Sequence, residues 1–166
     1  MRSVRDVSSS RTVLKEVGDK DIGQDKWRSN LRDTQFKVLR MKATEPSGVT
    51  KAKGGFDDHF EPGTYLCAGC KTPLYEHTMK FDCGCGWPGF WTNIPGSVAE
   101  VADADGRRVE ITCSACRGHL GHVFRGEGFK NPPPNERHCV NSVSLAFKPA
   151  DGGDVVECTY NGPVHL

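Results

Sequence analysis

Beyond residue 24 the apolar positions Trp27, Leu31, Phe36, Val38 and Leu39 recur at the spacing of one face of a helix. This predicts one or two amphipathic helices, interrupted near Asp33-Thr34 and ended by Pro46-Ser47-Gly48. After Pro62-Gly63 the pattern shortens. YLC, the residues around VEITC, HVF and VNSVSLAF are brief apolar runs separated by Gly, Pro and Asn, and they read as strands. Helices first and strands afterwards predict an α+β fold, mainly β, with antiparallel sheets as its body. Residues 1–20 lack apolar periodicity and are expected to form a flexible N-terminal extension. Residues 151–166, with Gly152-Gly153 and Gly162-Pro163, are expected to be a surface tail, leaving 21–150 as the folded domain.

The segment ERHCVNSVSLAF has the best strand pattern in the chain. Read as one strand with a period of two, it aligns Arg137, Cys139 and Asn141 with Val143, Leu145 and Phe147. Such a strand drives its apolar end into a core and presents an arginine, a thiol and an amide beyond it. An arginine near a thiol favours the nucleophilic thiolate. A buried, inert cysteine beside a solvated arginine fits the same spacing.

A chain of 166 residues, rich in Gly (19) and Pro (10), suits one domain of many turns and short strands. Its 22 basic and 21 acidic side chains leave a net charge of +1, which gives no reason to expect a nucleic-acid or membrane partner. No apolar run has the length of a membrane span, and no secretory core segment stands at the N-terminus. Arg2, Arg5, Arg11 and three consecutive serines hint at a mitochondrial transit peptide, which Asp6 and Glu16 argue against. The expected location is cytoplasmic, with mitochondria as the alternative.

Eight cysteines change the picture. TYLCAGCKTPLY and EITCSACRGHLG share an apolar lead-in, Cys-x-x-Cys, a basic residue and a leucine four positions beyond the second cysteine. Each reads as a strand running into a tight knuckle. Two knuckles together supply Cys67, Cys70, Cys113 and Cys116, the four ligands of a structural zinc ion. A thioredoxin-like redox motif is the rival reading for either pair, but neither sits in a βαβ pattern. Four thiolates would leave the metal no open position for catalysis.

Cys83, Cys85, Cys139 and Cys158 remain. Cys83 and Cys85 flank a single glycine, too close for ordinary disulfide geometry with each other and off the usual zinc-knuckle spacing. In GHLGHVF the glycines allow a turn that brings His119 and His122 to one spot, where they can donate protons near neutral pH. Zinc ligands or surface histidines are the other readings of that pair.

EPGTYLCAGC, FDCGCGWPGFW, GHLGHVF and RHCVNSVSL occur in this order, and together they resemble the B-type methionine sulfoxide reductases, specific for the R epimer. The resemblance covers roughly residues 26–148. It implies a β-tent of two antiparallel sheets with short N-terminal helices and a structural zinc site. It implies Cys139 as the nucleophile, Cys85 as the cysteine that resolves its sulfenic acid, and His119 or His122 as the acid. Trp87, Phe124, Arg137 and Asn141 would bind substrate, with the Trp87 indole against the S-methyl group. Partners would be oxidised proteins carrying methionine-R-sulfoxide, with thioredoxin as reductant and the enzyme a monomer. Cys83 stands where many members have serine, and is read as a bystander or a backup resolver; no essential role is expected of Cys158. His138 stands where tyrosine is common, and the loop GEGFKNPPPNE before Cys139 is somewhat long.

Two other classes fit parts of the pattern. A zinc-ribbon binding module without catalysis needs no reactive Cys139. A peroxide-sensing switch would use Cys139 and Cys85 for signalling alone. Turnover of a sulfoxide separates the enzyme from both.

Overall fold

The computed structural model describes residues 20–51 and 54–166. All but the last residue of the expected N-terminal extension lies outside the described residues. Helices α1 (Gln24–Asn30) and α2 (Asp33–Met41) precede ten strands: β1 (Gly63–Cys67), β2 (Pro73–Glu76), β3 (Lys80–Phe81), β4 (Gly89–Phe90), β5 (Val98–Ala102), β6 (Val109–Cys113), β7 (His119–Phe124), β8 (Arg137–Val140), β9 (Leu145–Pro149) and β10 (Val156–Glu157). The helix break falls at Leu31-Arg32, two residues earlier than expected. The helices stop at Lys42, whose left-handed φ of 59° closes α2 before Pro46 is reached.

The strands form two sheets, β10-β9-β1-β2 and β3-β4-β8-β7-β6-β5, with every pairing antiparallel. The mainly β architecture of two antiparallel sheets with short N-terminal helices is the one expected. Aromatic side chains from both sheets meet between them. Tyr75 of β2 stacks on Phe90 of β4 at 4.0 Å, and Tyr65 of β1 meets the same ring edge-on at 5.2 Å. All three rings are fully buried, so they contribute apolar burial and favourable ring geometry together.

The segment read as a single strand through Cys139 is two strands in different sheets. β8 belongs to the six-stranded sheet and β9 to the four-stranded one, and a 3-10 turn at Ser142–Ser144 joins them. The backbone groups of that turn bond elsewhere. The Glu45 carboxylate accepts the N–H groups of Ser142 (2.8 Å) and Val143 (3.0 Å), and the Ser144 carbonyl accepts the Ala68 N–H at 2.9 Å. Alternation therefore holds only within β8. His138 and Val140 point inward, while Arg137 and Cys139 are half-exposed on the other face. Asn141, expected beside them, is buried.

The C-terminal segment runs mostly over the surface, as expected of residues 151–166, and is pinned to the fold at several points. β10 pairs with β9, Cys158 is buried, and the main chains of His165 and Thr44 exchange two hydrogen bonds of 2.7 and 2.8 Å. The Arg32 guanidinium ties the same segment to the start of α2 through the carbonyls of Cys158 and Tyr160.

Candidate active site and metal centre

The two Cys-x-x-Cys knuckles are structural copies. In each, the first cysteine N–H donates to the carbonyl five residues on (Cys67 to Thr72, 2.8 Å; Cys113 to Gly118, 2.9 Å). Its own carbonyl accepts the N–H four residues on (Lys71, 2.8 Å; Arg117, 2.7 Å). Lys71 and Arg117 both sit at left-handed φ, 61° and 64°. Sequence similarity between the two segments thus reports a shared turn. Cys67 ends β1 and Cys113 ends β6, so the knuckles bring together the end of an interior strand from each sheet.

The four sulfurs all lie within 4.8 Å of one another, with Cys67–Cys116 at 3.6 Å and Cys70–Cys113 at 3.7 Å. A tetrahedral zinc ion with Zn–S of about 2.3 Å sets sulfurs about 3.8 Å apart. The donor set and its spacing are compatible with zinc. Leu39 of α2 reaches the glycines of both knuckles, Gly69 and Gly118, and the Arg40 guanidinium donates to the Cys116 carbonyl at 2.8 Å. The N-terminal helices therefore cover this cluster.

Cys139 occupies the centre of the other site. In register it faces Gly89 of β4 on one side and His122 of β7 on the other. It lines a pocket of about 130 Å³ together with Trp87, His122, Phe124 and Asn141. Gly121, Thr44 and Arg108 complete the wall; Thr44 and Arg108 have no motif that marks them in the sequence. The Trp87 indole is fixed by its Nε1, which donates to the Glu45 carbonyl at 3.0 Å. Asn141 is likewise held, its Oδ1 accepting the Glu45 N–H at 3.0 Å and its Nδ2 donating to the Leu120 carbonyl at 2.9 Å. Arg137 stands just outside the pocket. It lies 4.3 Å over the Phe124 ring and is forked by Glu127 from the long loop (2.6 and 3.0 Å).

His119 and His122 do converge, with ring centroids 5.8 Å apart. Residues three apart on a regular strand face opposite ways. Here the β6–β7 register shifts between Ile111 and Thr112, leaving Leu120 as an extra residue, and both imidazoles reach one face. Gly121 serves a different purpose from turning the chain. A Cβ there would fall 1.9 Å from the Cys139 carbonyl oxygen, so glycine is what lets β8 approach β7. Of the two histidines, only His122 lines the pocket with Cys139. Its Nε2 lies 2.8 Å from Asp103, and that contact holds the Asp103 carboxyl below its usual range. His119 is buried behind, its Nδ1 3.6 Å from Glu110 without a hydrogen bond, and burial lowers its pKa. Asp103, in the turn ADADG, reads in the sequence as an ordinary loop acid.

Cys85 lies 3.7 Å from Cys139 and Cys83 lies 2.6 Å from Cys85. Thiols this close share charge. Contacts with Cys139 and then Cys83 pull the Cys85 thiol down to about 2, and contact with Cys85 pushes Cys139 up. Arg137 favours the ionised form of either. The two thiols therefore share one ionisation, and the Arg137 guanidinium stabilises the thiolate. His138, the residue that departs from the common tyrosine, is buried between the Tyr75 hydroxyl (2.9 Å) and Glu136 (2.8 Å), a polar bridge inside the sheet.

The sequence motifs imply a nucleophile in Cys139, an acid in His119 or His122 and an aromatic wall in Trp87, and of these Cys139, His122 and Trp87 line one pocket. A family model described as the SelR domain matches residues 31–149. The chain is 53% identical over 133 residues to peptide methionine sulfoxide reductase B5 of Arabidopsis thaliana, covering 80% of this chain and 92% of the relative. It is 55% identical over 131 residues to peptide methionine sulfoxide reductase B5 of Oryza sativa subsp. japonica, covering 79% and 93%. With peptide methionine sulfoxide reductase B8 of Arabidopsis thaliana the identity is 56% over 127 residues, covering 76% and 85%. The chain belongs to the B-type methionine sulfoxide reductases. The matched span takes in both knuckles, the Cys83–Cys85 loop, β7 and β8, so the family assignment covers every element described above. As a member of this family the protein is an oxidoreductase acting on methionine sulfoxide.

Proposed function

We propose that the protein reduces methionine-R-sulfoxide in oxidised proteins, with Cys139 as nucleophile and Cys85 as resolving cysteine. The observation that carries the reading is the placement of Cys139 between an aromatic-walled pocket and a second sulfur at 3.7 Å. Cys139, its proton passed to Cys85, attacks the sulfoxide sulfur while His122, oriented by Asp103, protonates the oxygen. The oxygen then moves from the substrate sulfur to the Cys139 sulfur as the new sulfur–sulfur bond breaks; methionine leaves, and Cys139 is left as a sulfenic acid. Cys85 then attacks Cys139; water departs and a Cys85–Cys139 disulfide remains, which a dithiol protein such as thioredoxin reduces. The chirality of the substrate suits a site with one aromatic wall and one proton donor, because only one epimer presents its methyl to Trp87 and its oxygen to His122 at once.

Cys67, Cys70, Cys113 and Cys116 would hold a zinc ion. When bound it supplies a cross-link between the two sheets and no catalysis, since all four positions are thiolate. The protein works as a monomer in a reducing compartment, the cytoplasm, where eight cysteines stay as thiols. No helix among the described residues is long and apolar enough to cross a membrane.

The test is reduction of the separate R and S epimers of a blocked methionine sulfoxide with dithiothreitol. The reading requires turnover of the R epimer alone and its loss in Cys139→Ser. Equal turnover of both epimers would overturn it.

A further inference from the structure

Cys83 has no part in the two-sulfur scheme, yet Cys85 is in contact with Cys83 at 2.6 Å as well as with Cys139 at 3.7 Å. The place for this third sulfur is built into the sheet. Gly89 is the residue paired with Cys139, and a Cβ at Gly89 would fall 2.7 Å from the Cys83 Sγ. The side chain missing opposite the nucleophile is the space that Cys83 fills. Gly84, at a left-handed φ of 70°, folds the loop so that the flanking sulfurs face each other. Cys85 also opens onto a second cleft, bordered by Asp57, Asp58 and Asp82, which shares no lining residue with the substrate pocket.

We propose that Cys83 is a third redox cysteine, which takes Cys85 out of the Cys85–Cys139 disulfide and frees the nucleophile before any external reductant acts. The step rests on the two-cysteine reading above. Cys83, as thiolate, attacks the Cys85 sulfur. The Cys83–Cys85 bond forms as the Cys85–Cys139 bond breaks, and the electron pair leaves on Cys139. The proton lost by Cys83 passes to solvent. One disulfide is exchanged for another, with no net oxidation; the oxidant throughout is methionine sulfoxide. Once Cys85 is bonded to Cys83 it no longer competes with Cys139 for the negative charge, and Arg137 is left to favour the Cys139 thiolate. A disulfide closed across one glycine is strained, and strained disulfides are the easily reduced ones. Such a bond suits delivery to a dithiol approaching from the second cleft.

The scheme has a countable consequence. Without any reductant, a chain that stops at the Cys85–Cys139 disulfide forms one methionine. A chain that passes the disulfide to Cys83 regains its nucleophile and forms a second, ending with a Cys83–Cys85 disulfide and a Cys139 sulfenic acid. The test is the burst of methionine from the reduced, full-length protein with excess R epimer and no dithiol, followed by peptide mapping. The wild type is expected to give two methionines per chain and Cys83→Ser one, a twofold loss. One methionine per chain from the wild type, with Cys85–Cys139 joined and Cys83 free to alkylate, would overturn the relay and leave the two-cysteine reading standing. A full burst in Cys139→Ser would bring down that underlying reading instead. The wild-type count decides the relay even where a variant folds poorly.

Discussion

The carbonyl of Glu45 holds the indole of Trp87, and 3.0 Å separates the oxygen from Nε1. The same residue gives its N–H to Asn141 and its carboxylate to the N–H groups of Ser142 and Val143. One buried residue beyond the end of α2 thus holds the Trp87 wall through its main chain and the turn after Cys139 through its carboxylate. Glu45→Ala leaves two buried N–H groups without an acceptor, a loss on the order of 3 kcal/mol. The expected outcome is a drop in Tm of about 10 °C for a domain of this size, together with reduced turnover, read by thermal unfolding and by the epimer assay.

Burial raises the Glu45 carboxyl to about 7, against the hydrogen bonds from Val143 and Ser142 that lower it. Its folded pKa thus exceeds the unfolded value of about 4.3. Between those values the native state binds the extra proton, so this group favours folding at acid pH and that contribution fades as pH rises through 7. Tm measured from pH 5 to pH 8 should fall more steeply in the wild type than in Glu45→Gln. Parallel profiles would contradict the assignment.

Legibility in the sequence followed the range of the interactions. The metal cluster was readable because each knuckle is a local turn, and its repetition showed two of them. Cys139 and Arg137 were correctly placed on one face, since alternation within β8 is local too. The break at Ser142 was hidden, because it depends on Glu45, 97 residues away in the chain from Ser142. Gly121 reads in the sequence as a residue that lets the chain turn, although its role is the close approach of β8, which only the paired strand reveals. Cys158 and the last residues looked peripheral because a two-residue strand such as β10 has no periodicity to detect.

The pair of histidines divides by position. His122→Asn removes the imidazole that lines the pocket beside Cys139, and turnover should fall by about 10²-fold or more. His119→Asn leaves the proton donor in place and should cost far less activity. Comparable losses in kcat for the two variants, both folded, would show that the acid is not His122 alone.

Removal of the metal should unfasten the two sheets where β1 and β6 meet. Chelation under denaturing conditions and refolding without zinc, or Cys113→Ser, should lower Tm sharply and lose the metal together, because binding energy is folding energy here. A metal-free protein that melts with the zinc form would remove the cluster from the account.

The central claim is that the sulfoxide oxygen is transferred to Cys139. It is tested most directly in the double variant Cys83→Ser, Cys85→Ser, where no neighbouring thiol of the loop can resolve the product. One equivalent of R epimer is added with a sulfenic-acid trap, and the peptides are mapped by mass spectrometry. The account predicts one trapped adduct per methionine formed, all of it on Cys139. Methionine released with Cys139 unlabelled, or an adduct on any other cysteine, would contradict it.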